Sequence, residues 1–207
     1  MKKIRLLFSY IKPQKHMLNL VLFGPPGAGK GTQSQKIIDQ YQLVHISTGD
    51  IFRMHIQEQT ELGKKVSELI ANGELVPDAI TIAMLEKEID AHPQAAGFIF
   101  DGFPRTVPQA EALDAFLASK SQQITGVIAL DVDEQELTER IAKRKEISGR
   151  ADDDSDKLKK RIAEYFNKTI HVLPYYESQN KLQRVNGVGE IDAIFAEITA
   201  IMDGYPQ

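Results

Sequence analysis

The sequence predicts an α/β domain, a five-stranded parallel sheet flanked by helices. Three observations carry that prediction. Short apolar runs alternate with segments of helical periodicity, the order that builds parallel strands joined by crossover helices. Near-continuous apolar runs suit strands buried on both faces. A glycine-rich loop sits between the first run and the first helical segment. A chain of 207 residues is long enough for one such domain with a sizeable core.

The first strand is read at Leu18–Phe23. It ends in Gly24-Pro25-Pro26-Gly27-Ala28-Gly29-Lys30-Gly31-Thr32, and a helix-like stretch follows from Gln33 to Tyr41. Strand, glycine loop, lysine and helix are the parts of a phosphate cradle. Glycines let backbone N–H groups turn toward an anion, the helix N-terminus adds a positive dipole end, and Lys30 adds a full charge. The general motif places Ser or Thr directly after the lysine to hold Mg²⁺. Here that position is Gly31, and the hydroxyl comes at Thr32, so a metal would lean on phosphate oxygens and water. The alternative is a plain glycine turn between core strand and helix; Lys30, in register after a strand, favours phosphate.

The second strand, Leu43–Ile46, delivers Ser47-Thr48-Gly49-Asp50 at its end, with Arg53 one helical turn beyond. Helical spacing follows at Val66-Leu69-Ile70 and at Ile82-Leu85-Ile89. The third strand, Gly97–Phe100, delivers Asp101-Gly102-Phe103-Pro104-Arg105, and the fourth, Gly126–Leu130, delivers Asp131-Val132-Asp133. Leu137 and Ile141 mark another helix. Leu158, Ile162 and Tyr165 mark the next, with Asp152 to Asp154 as candidate caps. The fifth strand is Leu182–Val185, and a last helix spans Glu190 to Met202. Sheets of this kind place ligands at their carboxyl edge, where four polar strand ends converge.

The chain carries 17 lysines and only 8 arginines, which gives each arginine weight. A guanidinium grips phosphate with a planar fork. Arg53, Arg105, Arg140, Arg144, Arg150 and Arg161 fall near the functional edge or in helices able to close over it, with Arg140 and Arg144 on one helical face. Surface pairing with acids such as Glu139 is the alternative; as a set beside a phosphate loop, they favour phosphate clamping. Asp101 ends a buried strand beside the loop and suits a metal-bound water or, alternatively, a cap on the following turn. Asp50 reads as a helix cap, and His45 as a packed or hydrogen-bonded histidine rather than a catalytic one.

Composition excludes several classes. A net charge of −4 argues against a general nucleic-acid binder, which needs a basic face. With no cysteine there is no disulfide and no four-cysteine zinc lobe. No apolar run is long enough to span a bilayer. Residues 1–16 hold a short apolar stretch without a small-residue cleavage site, and read as an extension ahead of the fold rather than a secretory leader. The cytoplasm is the expected compartment.

These segments together resemble the adenylate kinases, which make two ADP from ATP and AMP. The resemblance rests on five ordered signatures: Gly24 to Thr32, Ser47-Thr-Gly-Asp-Ile-Phe-Arg53, Leu75-Val-Pro-Asp78, Asp101-Gly-Phe-Pro-Arg105 and Gly149-Arg-Ala-Asp-Asp153. It implies a P-loop NTPase fold over residues 17–207, with a small helical monophosphate-binding segment at 47–76 and a short lid at 144–150. It implies that Gly27, Ala28, Gly29, Lys30, Gly31 and Thr32 hold the ATP phosphates, with Arg144 and Gly189 at the ATP base. It places Thr48, Arg53, Glu74, Leu75, Val76, Gly102, Phe103, Pro104, Arg105 and Gln109 around AMP, joined by Arg150 and Arg161. Lys30, Arg105, Arg140, Arg144, Arg150 and Arg161 become the groups around the transferring phosphoryl. Mg²⁺ accompanies ATP, held through water by Asp101, and no zinc is expected. The implied partners are the nucleotides ATP, AMP and ADP, not nucleic acid or membrane, and the implied state is a monomer.

Elementary chemistry agrees with that assignment. A monophosphate is already anionic at neutral pH and needs no general base, so the site must supply positioning and positive charge. The nearest rival is a UMP/CMP kinase of the same fold, which tends to carry alanine at Thr48 and asparagine at Gln109; both positions here favour AMP. A GTP switch would show Asn-Lys-x-Asp, and Asn167-Lys168-Thr169-Ile170 and Asn180-Lys181-Leu182-Gln183 both lack the aspartate. A module that binds without turnover has no need of Lys30 and the full arginine set.

Overall fold

A computed structural model describes residues 17–147 and 155–206. Five parallel strands form one sheet in the order β2-β3-β1-β4-β5: β1 Leu20–Phe23, β2 Val44–Ser47, β3 Phe98–Asp101, β4 Gly126–Asp131 and β5 Leu182–Asn186. β1 lies at the centre, where Leu20 pairs with Ile99 on one side and Gly126 on the other. The helices are α1 Lys30–Tyr41, α2 Thr48–Gln57, α3 Glu61–Ala71, α4 Asp78–Asp90, α5 Val107–Ser119, α6 Glu134–Ile147, α7 Ser155–Asn167, α8 Leu173–Glu177 and α9 Ile191–Met202, with a 3-10 turn at Thr169–Val172 before α8.

The period of two in a strand sends neighbouring residues to opposite faces, and both faces are covered. Val21 and Phe23 join Phe98, Phe100, Leu113, Leu117 and Tyr176 in one layer. Leu20 and Leu22 join Ile37, Ile99, Ile128, Ile194 and Ile198 in the other. Burial of each such side chain is worth about 1.5–3 kcal/mol. Asn19, fully buried among these apolar neighbours, is satisfied on every side. Its Nδ2 donates to Gln123 O at 3.0 Å, its Oδ1 accepts from Phe98 N at 3.2 Å, and its backbone N–H donates to Thr125 Oγ1 at 3.1 Å.

A third, small cluster of Phe52, Val66, Val76 and Met84 holds α2, α3 and α4 together. Segment 47–76 is thus packed onto α4 through Met84 and Ile80. At the α2–α3 crossing there is no room for a side chain on Gly63, whose Cβ would fall 2.0 Å from His55 O.

Several boundaries differ from the sequence reading. β2 and β3 start one residue later than expected and run one residue further, because Ser47 pairs with Asp101. An apolar run marks what is buried, whereas the ladder continues wherever backbone groups meet. α1 begins at Lys30 rather than Gln33, and Glu190 precedes α9 in an extended conformation. α5 was not anticipated; Thr106 caps it by accepting Gln109 N at 3.3 Å, and Pro108 stands in its first turn, where proline fits. The turn and α8 between 169 and 177 were also not anticipated. Expected features at residues 1–16 and the caps at Asp152 to Asp154 lie outside the described residues. Of the expected lid, 144–147 form the last turn of α6, and 148–150 also lie outside. Among the described residues no helix is long and apolar enough to cross a membrane.

Candidate active site

The carboxyl ends of β1 and β3 open into a cleft of about 1020 Å³. On one side stands the glycine loop. Gly27 and Gly29 take φ of 90° and 91°, left-handed values that only glycine adopts freely. Gly29 is also the N-cap of α1 and offers no side-chain cap. The cap residue thus supplies no side-chain oxygen to the start of α1, and a helix N-terminus of this kind is suited to receive an anion. Lys30 Nζ donates to Gly24 O at 2.7 Å and to Pro25 O at 3.2 Å, closing the loop on itself.

The facing wall comes from β2, β3 and the segments after them. Thr48 Oγ1 donates to Gly102 O at 2.9 Å, and Arg105 Nε donates to the same carbonyl at 2.7 Å. The Arg105 N–H donates to Gln109 Oε1 at 2.8 Å, and Gln109 Nε2 donates to Asp78 Oδ1 at 2.7 Å. Thr48, Val76 and Gln109 line a recess of about 30 Å³ that shares Gly102, Arg105, Glu74 and Leu75 with the main cleft. That recess has room for about one water.

The described arginines combine both readings made from sequence. Arg53 lines the cleft and is ion-paired with Asp50, one turn before it. Arg140 also lines it, donating from Nε to Glu136 Oε1 at 2.6 Å and from Nη2 to Gly187 O at 2.8 Å. Arg161 reaches the cleft from α7, over Gly73. Gly73 has φ of 71°, and a Cβ there would lie 3.0 Å from Arg161 Cγ and 3.1 Å from Lys157 O. Beside it, Lys160 Nζ meets Glu74 Oε1 at 2.7 Å.

Asp101 ends β3 at the cleft floor. Burial alone would raise its pKa, but His45, Lys30 and Arg105 more than offset this and hold the carboxyl below the usual range. His45 Nε2 stands 3.9 Å from Asp101 Oδ2, beyond direct hydrogen-bond reach. His45 also lines the cleft.

The structure thus gathers Gly27, Ala28, Gly29, Lys30, Gly31, Thr32, Arg53, Glu74, Leu75, Asp101, Gly102, Phe103, Pro104, Arg105, Arg140, Arg161 and Gly189 around one cleft. Thr48, Val76 and Gln109 stand in the adjoining recess. The Arg144 side chain and Arg150 lie outside the described residues. Sequence reasoning assigned no role to Thr106, and quoted Asp78 only as the end of the signature Leu75-Val-Pro-Asp78; Asp78 meets Gln109 across α4 and α5, and Thr106 meets it within the first turn of α5.

A strand, glycine loop, lysine and helix at the centre of a doubly covered parallel sheet define the class: a P-loop NTPase fold. Comparison with known proteins narrows it. The adenylate kinase family model matches residues 22–181. The chain is 49% identical over 188 residues to an adenylate kinase of Flavobacterium psychrophilum, covering 90% of this chain and 99% of that one. It is 49% identical over 187 residues to an adenylate kinase of Phenylobacterium zucineum, covering 90% and 98%. With an adenylate kinase of Bacteroides fragilis the identity is 46% over 187 residues, covering 90% and 99%. The chain belongs to the adenylate kinase family.

Proposed function

We propose that the cleft carries out its family's reaction, reversible phosphoryl transfer from ATP to AMP giving two ADP, with ATP on the glycine-loop side and AMP on the β2–β3 side. The observation that supports this most is the single cleft itself. It places a lysine-bearing phosphate loop opposite Arg53 and Arg105, with Arg140 and Arg161 on its rim. One phosphate site would need one such wall.

In this reading an AMP phosphate oxygen forms a bond to the γ-phosphorus as the bond from that phosphorus to the β-bridging oxygen breaks, leaving ADP on both sides. The nucleophile is an anion, so no residue removes a proton. Lys30 and the loop N–H groups hold the ATP phosphates, exchanging part of the Lys30 contacts with Gly24 and Pro25 for phosphate. Arg53 and Arg105 hold the AMP phosphate. Arg140, Arg161, Arg144 and Arg150 neutralise the charge that spreads over the transferring group. Glu74, Leu75, Val76, Thr48, Gly102, Phe103, Pro104 and Gln109 seat AMP, and Gly189 meets the ATP base. Segments 47–76 and 144–150 close to keep water away from the phosphoryl group.

Asp101 fits a role toward Mg²⁺ through water. It is a carboxylate held in its charged form at the cleft floor. Mg²⁺ keeps several waters and binds through few carboxylates plus substrate phosphates, which is compatible with one such carboxylate here. When bound, Mg²⁺ supplies charge neutralisation on the phosphates. We further read the protein as a cytoplasmic monomer acting on free nucleotides.

A coupled assay for ADP made from ATP, Mg²⁺ and each of AMP, UMP and CMP tests the reading. AMP is expected to be the preferred acceptor, with inhibition by two adenosines joined through five phosphates. A clear preference for UMP would instead identify a UMP/CMP kinase.

A further inference from the structure

The Gln109 amide is gripped at both ends. Its Oε1 accepts from the Arg105 N–H at 2.8 Å, and its Nε2 donates to Asp78 Oδ1 at 2.7 Å. The second oxygen of Asp78 accepts from the Thr106 hydroxyl at 2.9 Å, and that hydroxyl accepts the Gln109 backbone N–H at 3.3 Å. Gln109 is buried, with 2% of its surface exposed. Asp78 opens α4 and Gln109 sits in the first turn of α5, so the contact clamps two helix N-termini together.

A glutamine amide has two nearly isosteric orientations, related by a half-turn about its last bond. Here they are not equivalent. The half-turn would set the NH₂ group against the Arg105 N–H and the carbonyl oxygen against Asp78, and a backbone N–H only donates while a carboxylate only accepts. Two partly buried hydrogen bonds at a buried side chain would become two repulsive contacts, which is strongly disfavoured.

We propose that Asp78 is a specificity-determining positioning residue: by fixing the Gln109 amide in one orientation, it sets the order of donor and acceptor shown to the monophosphate's base. The proposal rests on the reading of Gln109 as the base contact. With its two internal bonds made, the amide retains one N–H on Nε2 and one lone pair on Oε1. Adenine presents an amino donor beside a ring-nitrogen acceptor. A 6-oxopurine presents the reverse, a carbonyl acceptor beside a ring N–H donor. An amide free to turn would read either edge, and a locked amide reads one. The Arg105 N–H holds only the oxygen end. Asp78 holds the nitrogen end, and Thr106 ties Asp78 in turn to the cap of α5.

The test is steady-state kinetics with AMP and IMP as alternative acceptors at saturating ATP, on the wild type, Asp78→Asn, Asp78→Ala and Gln109→Leu. Asp78→Asn keeps the size of the side chain but replaces an acceptor-only group with one that also donates; it guards against Asp78→Ala failing to fold. Both Asp78 variants are expected to lower kcat/KM for AMP by about tenfold, mostly through KM, and to leave or raise the value for IMP. The AMP-to-IMP ratio then falls by about tenfold or more, and Gln109→Leu lowers it at least as far. If Gln109→Leu collapses the ratio but the Asp78 variants lose AMP and IMP activity equally, or neither, Asp78 merely braces α4 against α5 and the inference is overturned. If Gln109→Leu leaves the ratio unmoved, Gln109 does not read the base, and that reading falls first.

Discussion

The two walls of the cleft are made of different material. The glycine loop is mostly backbone: glycines at positive φ, an uncapped helix start, and a lysine folded onto the loop's own carbonyls. The facing wall is a chain of side chains. Thr48 and Arg105 converge on Gly102 O, Arg105 N–H meets Gln109, and Gln109 and Thr106 meet Asp78. Under the proposed reading the contrast has a chemical basis. Every nucleoside triphosphate carries the same phosphates, so a backbone cradle suffices for them. Telling one base from another requires polar side chains whose orientation other side chains hold.

Lys30→Met breaks the backbone-built wall and carries the largest expected effect. Turnover should fall by about 10³-fold with AMP and with any alternative acceptor alike, because charge is lost where the transferring phosphates sit. Stability should change by only about 1–3 kcal/mol, since two hydrogen bonds from a charged donor and an attraction to Asp101 are lost while phosphate chemistry carries the rest of the effect. Turnover measured beside a urea melt separates the two quantities. Near-wild-type turnover would mean that the loop does not serve the chemistry.

The same contrast explains what was legible in the sequence. A backbone cradle needs glycines in order, and Gly24 to Thr32 display that order along the chain. The sheet was legible for a similar reason, because each strand is a local apolar run. The facing wall joins residues far apart: Gln109 and Asp78 are 31 positions apart, and Thr48 and Gly102 are 54 apart. No local pattern reports those meetings. Thr48 was visible as part of a polar strand end, but its place at the acceptor, like that of Gln109, came only through resemblance, and Asp78 entered only as the last residue of a signature. α5 was hidden because Pro108 resembles a loop signal, although it lies in the one turn of a helix that tolerates it. Ser47 and Asp101 extend the ladder past the apolar runs, so the residues nearest the chemistry fall just beyond where hydrophobicity stops.

Gly73→Ala strikes the side-chain wall at its edge, with a smaller effect. Position 73 combines a φ of 71° with the close approach of α7, so a methyl group strains the backbone and presses on Arg161 and the Lys157 carbonyl. A stability loss of about 1–3 kcal/mol is expected, read by chemical denaturation. KM for AMP should rise severalfold while KM for ATP stays within about twofold, because the displaced turn carries Glu74 and Leu75 rather than the loop; those margins follow from a disturbance confined to one wall. An equal rise in both constants would show that the two walls are mechanically one body.

Glu74→Gln carries the smallest expected effect and probes how far the selective wall extends. Glu74 and Lys160 pair at 2.7 Å, yet their side chains are 39% and 46% exposed. A pair this open is worth only about 0.2–1 kcal/mol and is screened by salt. The substitution should shift stability by less than about 0.5 kcal/mol and KM for AMP by less than about twofold near physiological ionic strength. Both differences should vanish near 1 M salt, where the screening length shrinks to about 3 Å, and grow in dilute buffer. If instead KM for AMP rises more than about tenfold and the rise is indifferent to salt, Glu74 seats AMP through its carboxylate and not only through its backbone. The side-chain wall then reaches from Asp78 back through the turn at Gly73, and α7 rests on bound nucleotide as well as on protein.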